Sequence, residues 1–201
     1  MTTTYANVTV IGADPGAVIA ELGAGPALVT APVAGMTVVF AAADEEAARF
    51  GEGLTAARLS AACACDALEV AVFEDPGAAG GSPPINLFQY RLYRRGAEID
   101  LGVVATPVAL ELAEAAGGTL PAADAARLVD RLGRGDAALA RRALSPDEAI
   151  GGAPERHAWL VEALDLPRCA AGWGYRYLAA WPEGFDGGPL TAVGGDPQEE
   201  P

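Results

Sequence analysis

His157 is the only imidazole in the chain, so any histidine-dependent mechanism must use it. It lies in Pro154-Glu-Arg-His-Ala-Trp-Leu-Val, at helical spacing with Leu160, Val161 and Leu164, on the apolar face of a predicted helix. A histidine there reads first as a core residue with satisfied ring nitrogens. The chemical alternative is a general base at the mouth of a pocket, with Trp173 and Tyr175 as ligand-binding walls. The serines Ser60, Ser82 and Ser145 lack the glycine-flanked elbow of a hydrolase nucleophile. Adjacent acids (Glu45-Glu46, Glu74-Asp75, Asp147-Glu148) lack the spaced partners of an acid/base pair or a metal cage, so no catalytic residue other than His157 and no metal ligand is assigned. Gly12-Ala-Asp-Pro-Gly16 lacks the second glycine of a dinucleotide loop, and Asp14 would occupy the anion's place, so no cofactor is implied.

The densest basic and aromatic cluster is Arg91, Arg94 and Arg95 with Tyr90 and Tyr93, which reads as a protein-docking patch, or else as a polar hairpin tip paired with nearby acids. A second aromatic set comprises Trp159, Trp173, Tyr175, Tyr177 and Trp181. It reads as core closing on a last strand, or as a partly open pocket beside His157. Cys63, Cys65 and Cys169 have no CxxC spacing and too few histidines for zinc, and they read as small core residues.

The elements that must position these residues begin with a strand from Tyr5 to Ile11 and a short helix capped by Asp14, with Pro15 in its first turn. Ala27–Thr30 and Met36–Phe40 form a hairpin around Pro32 and Gly35, and Asp44 starts a helix reaching Ala61 whose middle is weakened by Gly51 and Gly53. Leu68–Phe73 completes a βαββαβ order, the split pattern of a ferredoxin-like fold. Leu87–Tyr93 and Ala97–Leu101 add a hairpin around Arg94-Arg95-Gly96.

Beyond Thr106 the pattern is mainly helical: a helix from Thr106-Pro107 to Gly117-Gly118, then Pro121–Leu132, Asp136–Leu144 and Pro154–Leu164, and a final strand over Trp173–Leu178. The expectation is one α+β domain over residues 1–182, with a sub-boundary near 102–106, and a flexible acidic tail rich in Gly and Pro over 183–201.

The 201 residues carry 27 acids against 13 basic residues, all of them arginine, for a net charge of −14. Each half of the chain, divided at residue 100, carries −7, so neither is a basic arm and nucleic acid is excluded as a partner. Residues 1–10 lack the basic start of a signal peptide, and the uncharged stretch 22–43 is interrupted by Pro26, Pro32 and glycines. A cytoplasmic protein without membrane association is expected.

Gly117-Gly-Thr-Leu-Pro-Ala-Ala-Asp-Ala-Ala-Arg-Leu, the segment Glu155 to Pro167, Gly174-Tyr-Arg-Tyr-Leu and the hairpin from Leu92-Tyr93 to Asp100 together resemble a group of uncharacterised bacterial proteins over roughly residues 87–182. The resemblance implies no activity. The composition and spacing point to a non-catalytic interaction or regulatory module with an unidentified protein partner. The alternatives are a small-ligand binder or enzyme around His157, and an acidic inhibitor or immunity-type protein.

Overall fold

The computed structural model describes residues 3–47, 54–77, 84–115, 119–147 and 151–194. Its elements are β1 (Thr3–Ile11), α1 (Pro15–Leu22), β2 (Ala27–Thr30), β3 (Met36–Ala41), α2 (Ala42–Ala47), α3 (Leu54–Ala62), β4 (Asp66–Asp75), β5 (Ile85–Arg94), β6 (Ala97–Ala105), α4 (Pro107–Ala115), α5 (Ala125–Leu132), α6 (Ala137–Ala143), α7 (Ala153–Ala163), α8 (Tyr175–Ala180) and β7 (Leu190–Val193). The strands form one antiparallel sheet in the order β6-β5-β4-β1-β3-β2-β7.

Strand alternation divides the apolar residues between two faces. Val8, Val10, Val29, Val39 and Ala67 pack with Val18 and Leu22 of α1 and with Ala56 and Leu59 of α3. Tyr5, Phe40, Leu68, Val70, Val72, Phe88, Tyr90 and Leu92 pack against Leu128, Ala140, Leu160, Leu164 and Leu178 of the C-terminal helices. The sheet is thus the middle of three layers, and the fold is a mixed α/β one.

Local signals in the sequence account for most boundaries. Asp14, Asp124 and Asp136 each accept a backbone N–H from the first turn of α1, α5 and α6. Arg95 and Gly96, at φ 50° and 82°, make the tight turn between β5 and β6.

Four expectations need correction. Asp44 lies inside α2, and its Oδ1 instead accepts Thr55 N at 3.3 Å, capping α3; residues 48–53, with Gly51 and Gly53, lie outside the described residues. Pro121–Ala123 is not helical but runs beside β6, with Val103 N donating to Pro121 O at 2.8 Å and Ala123 N to Val103 O at 3.2 Å. Trp173–Leu178 is not a strand, because Tyr175–Ala180 forms α8. Residues 183–194, placed in the tail by composition, include β7, which pairs with β2 over Ala27↔Val193 to Thr30↔Leu190. Gly117-Gly118 and residues 195–201 of the expected tail lie outside the described residues.

The two edges of the sheet differ. At β6, the Tyr90 ring lies against Gly102, where a Cβ would stand 2.5 Å from a ring carbon. The Tyr90 hydroxyl donates to Asp100 Oδ2 at 3.2 Å and accepts Asp124 N at 3.4 Å, while Arg127 Nε donates to the other oxygen of Asp100 at 2.6 Å. The 121–124 strap is therefore fastened over this edge. No described residue pairs with β7 on the side away from β2.

Candidate functional site

His157 is 1% exposed and stacks on Tyr5 at 5.7 Å between ring centroids. The Tyr5 hydroxyl accepts Gly172 N at 3.3 Å and lies 3.1 Å from Nδ1, so its own proton is available to that nitrogen. The other ring nitrogen, Nε2, has no hydrogen-bond partner among the described residues. Burial drives the imidazole pKa down to about 3, so His157 is neutral at physiological pH. Trp173 is half-buried and Tyr175 is buried. A cavity of about 860 Å³ lies elsewhere, lined by Arg127, Arg141 and Arg142, and one of about 200 Å³ is lined by Glu74, Asn86 and Arg156. Neither is lined by His157, Trp173 or Tyr175.

The arginine hairpin is split by strand alternation. Arg94 makes a forked pair with Asp66, both distances 2.8 Å, and donates to Arg131 O at 2.7 Å. Arg91 sits opposite Glu69 in the sheet register and pairs with Glu98 at 3.7 Å. Tyr93 is 5% exposed, with its hydroxyl 3.5 Å from the same Glu98 carboxylate, and Arg95 is exposed at the turn. Arg91 and Arg94 thus belong to opposite faces of β5, each beside a carboxylate.

Two features escape the sequence reading. Glu69, in the middle of an apolar strand, is 4% exposed; burial first, then Asp44, pushes its carboxyl up to about 7, against the pull of Arg91. Arg156, 5% exposed, donates to the carbonyls of Ala143, Ser145, Asp147 and Gly151 and so ties the end of α6 to the start of α7. A charged residue within an apolar run was the available signal for Glu69; Arg156, between Glu155 and His157, carries no such signal.

The C-terminal segment carries two exposed aromatic residues, Tyr177 and Trp181. Asn7 Nδ2 donates to Ala170 O at 2.6 Å and Trp173 O at 3.3 Å, anchoring the turn before α8 to the sheet. Gly174 fits there because a Cβ would stand 2.6 Å from Tyr5 Cβ and 2.7 Å from Glu45 Oε2. That Glu45 oxygen accepts Arg176 N at 3.0 Å in the first turn of α8. The four-residue spacing then aligns Trp173, Tyr177 and Trp181, with centroids 5.3 and 5.1 Å apart in succession. Trp173 also meets Phe185 edge-on at 5.5 Å, and Phe185 meets the fully buried Phe40 edge-on at 6.0 Å. An aromatic series therefore runs from the core to Tyr177 and Trp181, which are 53% and 54% exposed.

No group of three or more His, Cys, Asp or Glu among the described residues could hold a metal ion, and no described helix is long and apolar enough to cross a membrane. No protein-family model, curated protein or solved structure matches the chain.

Proposed function

We propose that this chain is a protein-interaction module that acts in the cytoplasm by binding rather than by catalysis, and that it docks its partner through the Trp173–Tyr177–Trp181 ridge beside β7. The observation that carries the reading is the exposure of Tyr177 and Trp181 at the end of an aromatic series rooted in the core. Adjacent exposed Trp and Tyr supply the large, stiff contact area on which interface energy concentrates. Anchoring by Asn7 and Glu45 holds that area in place before a partner arrives, which reduces the ordering needed on binding. The scaffold is read as a ferredoxin-like unit: the central order β4-β1-β3-β2 is antiparallel, and α1 and α3 pack on one face of it. The neutral, buried state of His157 favours a packing role over that of a general base.

The test is a photo-crosslinking residue at Tyr177, with a control at Leu112 of α4, which is comparably exposed at 56%. A discrete adduct formed in cells at position 177, absent at 112 and lost on Trp181→Ala, is expected. The same adducts at both positions would remove the assignment.

A further inference from the structure

Resting on the interaction-module reading, we propose that the partner presents an extended, basic peptide segment that adds as a strand to the free side of β7 and lays cationic side chains against the aromatic ridge. β7 is an edge strand whose outer backbone groups meet no described strand, and its exposed Thr191 and Ala192 are small enough for close approach. Leu190 packs on the same core cluster as Trp173 and Phe185, and α8 lies against β2, the strand next to β7, so the ridge and β7 share one face of the sheet. A strand added about 4.8 Å outside β7 would place alternate side chains on that face.

Charge selects the occupant. Between Trp173 and Gly194 the charged residues are Arg176, Glu183 and Asp186, and Arg176 lies 3.9 Å from Glu45. Glu183 and Asp186 are exposed along the connection from ridge to edge, on a chain of net charge −14. An anionic membrane or a second copy of the chain would meet that charge as repulsion, whereas Arg or Lys meets it as attraction and finds the faces of Tyr177 and Trp181 as cation–π partners.

The experiment is calorimetric titration of the full chain with a short synthetic peptide alternating Val and Arg, alongside its Val and Glu counterpart. Saturable binding of the Arg peptide that weakens with added salt is expected, with none for the Glu peptide. Trp181→Ala should lower the affinity about tenfold with an unchanged circular dichroism spectrum. N-methylation of alternate peptide residues on one edge should lower it as much, and on the other edge little, because strand addition uses one row of backbone donors. The proposal is overturned if the Arg peptide does not saturate at concentrations on the order of 1 mM, if the Glu peptide binds equally, or if neither Trp181→Ala nor N-methylation matters. A Tyr177 adduct without Arg-peptide binding overturns only the partner class and leaves the interaction reading in place. So does a dimer, seen by light scattering, that Trp181→Ala dissolves. Absence of peptide binding, adduct and dimer together removes both.

Discussion

The two halves of the sheet are built differently. β4, β5 and β6 are ten, ten and nine residues long and are laced by polar contacts such as Tyr90–Asp100–Arg127 and Arg94–Asp66, and the outer edge is strapped by 121–124. β3, β2 and β7 are six, four and four residues long, and their outer edge is bare among the described residues. Unprotected edges invite pairing with other chains, and proteins usually blunt them. Among the described residues one edge carries a strap and the other none, and the docking proposed above uses that difference.

The largest effect should come from breaking the closed half. Gly102→Val would drive a side chain into the Tyr90 ring and dislodge its bonds to Asp100 and Asp124, destabilising the protein by about 3 kcal/mol in a urea melt. An unchanged midpoint would mean the strap is not held there.

A smaller effect follows from Glu69, whose folded pKa of about 7 lies above its ordinary value of 4.5. The folded state holds this proton more tightly, so the stability associated with it is fully present below about pH 4.5 and is lost as pH rises through about 7. Glu69→Gln should therefore match the parent near pH 4.5 and exceed it at pH 8 by on the order of 2 kcal/mol, the attraction to Arg91 being already contained in that folded pKa. His157 acts in the opposite sense as pH falls below 6.5, but it does so in both proteins and cancels from the difference. A constant gap between parent and variant across that range would remove Glu69 as the source.

The smallest effect belongs to the open half. Thr191→Lys, on the exposed strand, should leave stability within about 0.5 kcal/mol while abolishing Arg-peptide binding by titration. A large loss of stability instead would show that this edge is already packed.

The first four strands were legible because they are β-branched, apolar runs between Gly, Pro and Asp boundaries, and the Arg95-Gly96 turn was legible from its residue types. α8 was not, because Trp-Gly-Tyr-Arg-Tyr-Leu alternates like a strand, and the carboxylate that caps the helix, Glu45, comes from 131 residues away. β7 was hidden by the glycines and prolines around it, since only the register with β2 makes Leu-Thr-Ala-Val a strand. The arginines of the hairpin were visible as a cluster, but strand alternation places Arg91 and Arg94 on opposite faces. Among the aromatics, a period of four rather than two separates Tyr177 and Trp181 on the surface from the buried Tyr175.

The ridge also determines how the molecule handles light. Of the three indoles in the chain, Trp173 and Trp181 flank Tyr177 at 5.3 and 5.1 Å, close enough for the phenol to hand its excitation to either of them, whereas Trp159 lies apart beneath the Arg142 guanidinium at 4.3 Å. Ultraviolet emission from the unlabelled protein is therefore weighted toward this one face, and quenching or a blue shift on mixing would signal contact there without a dye.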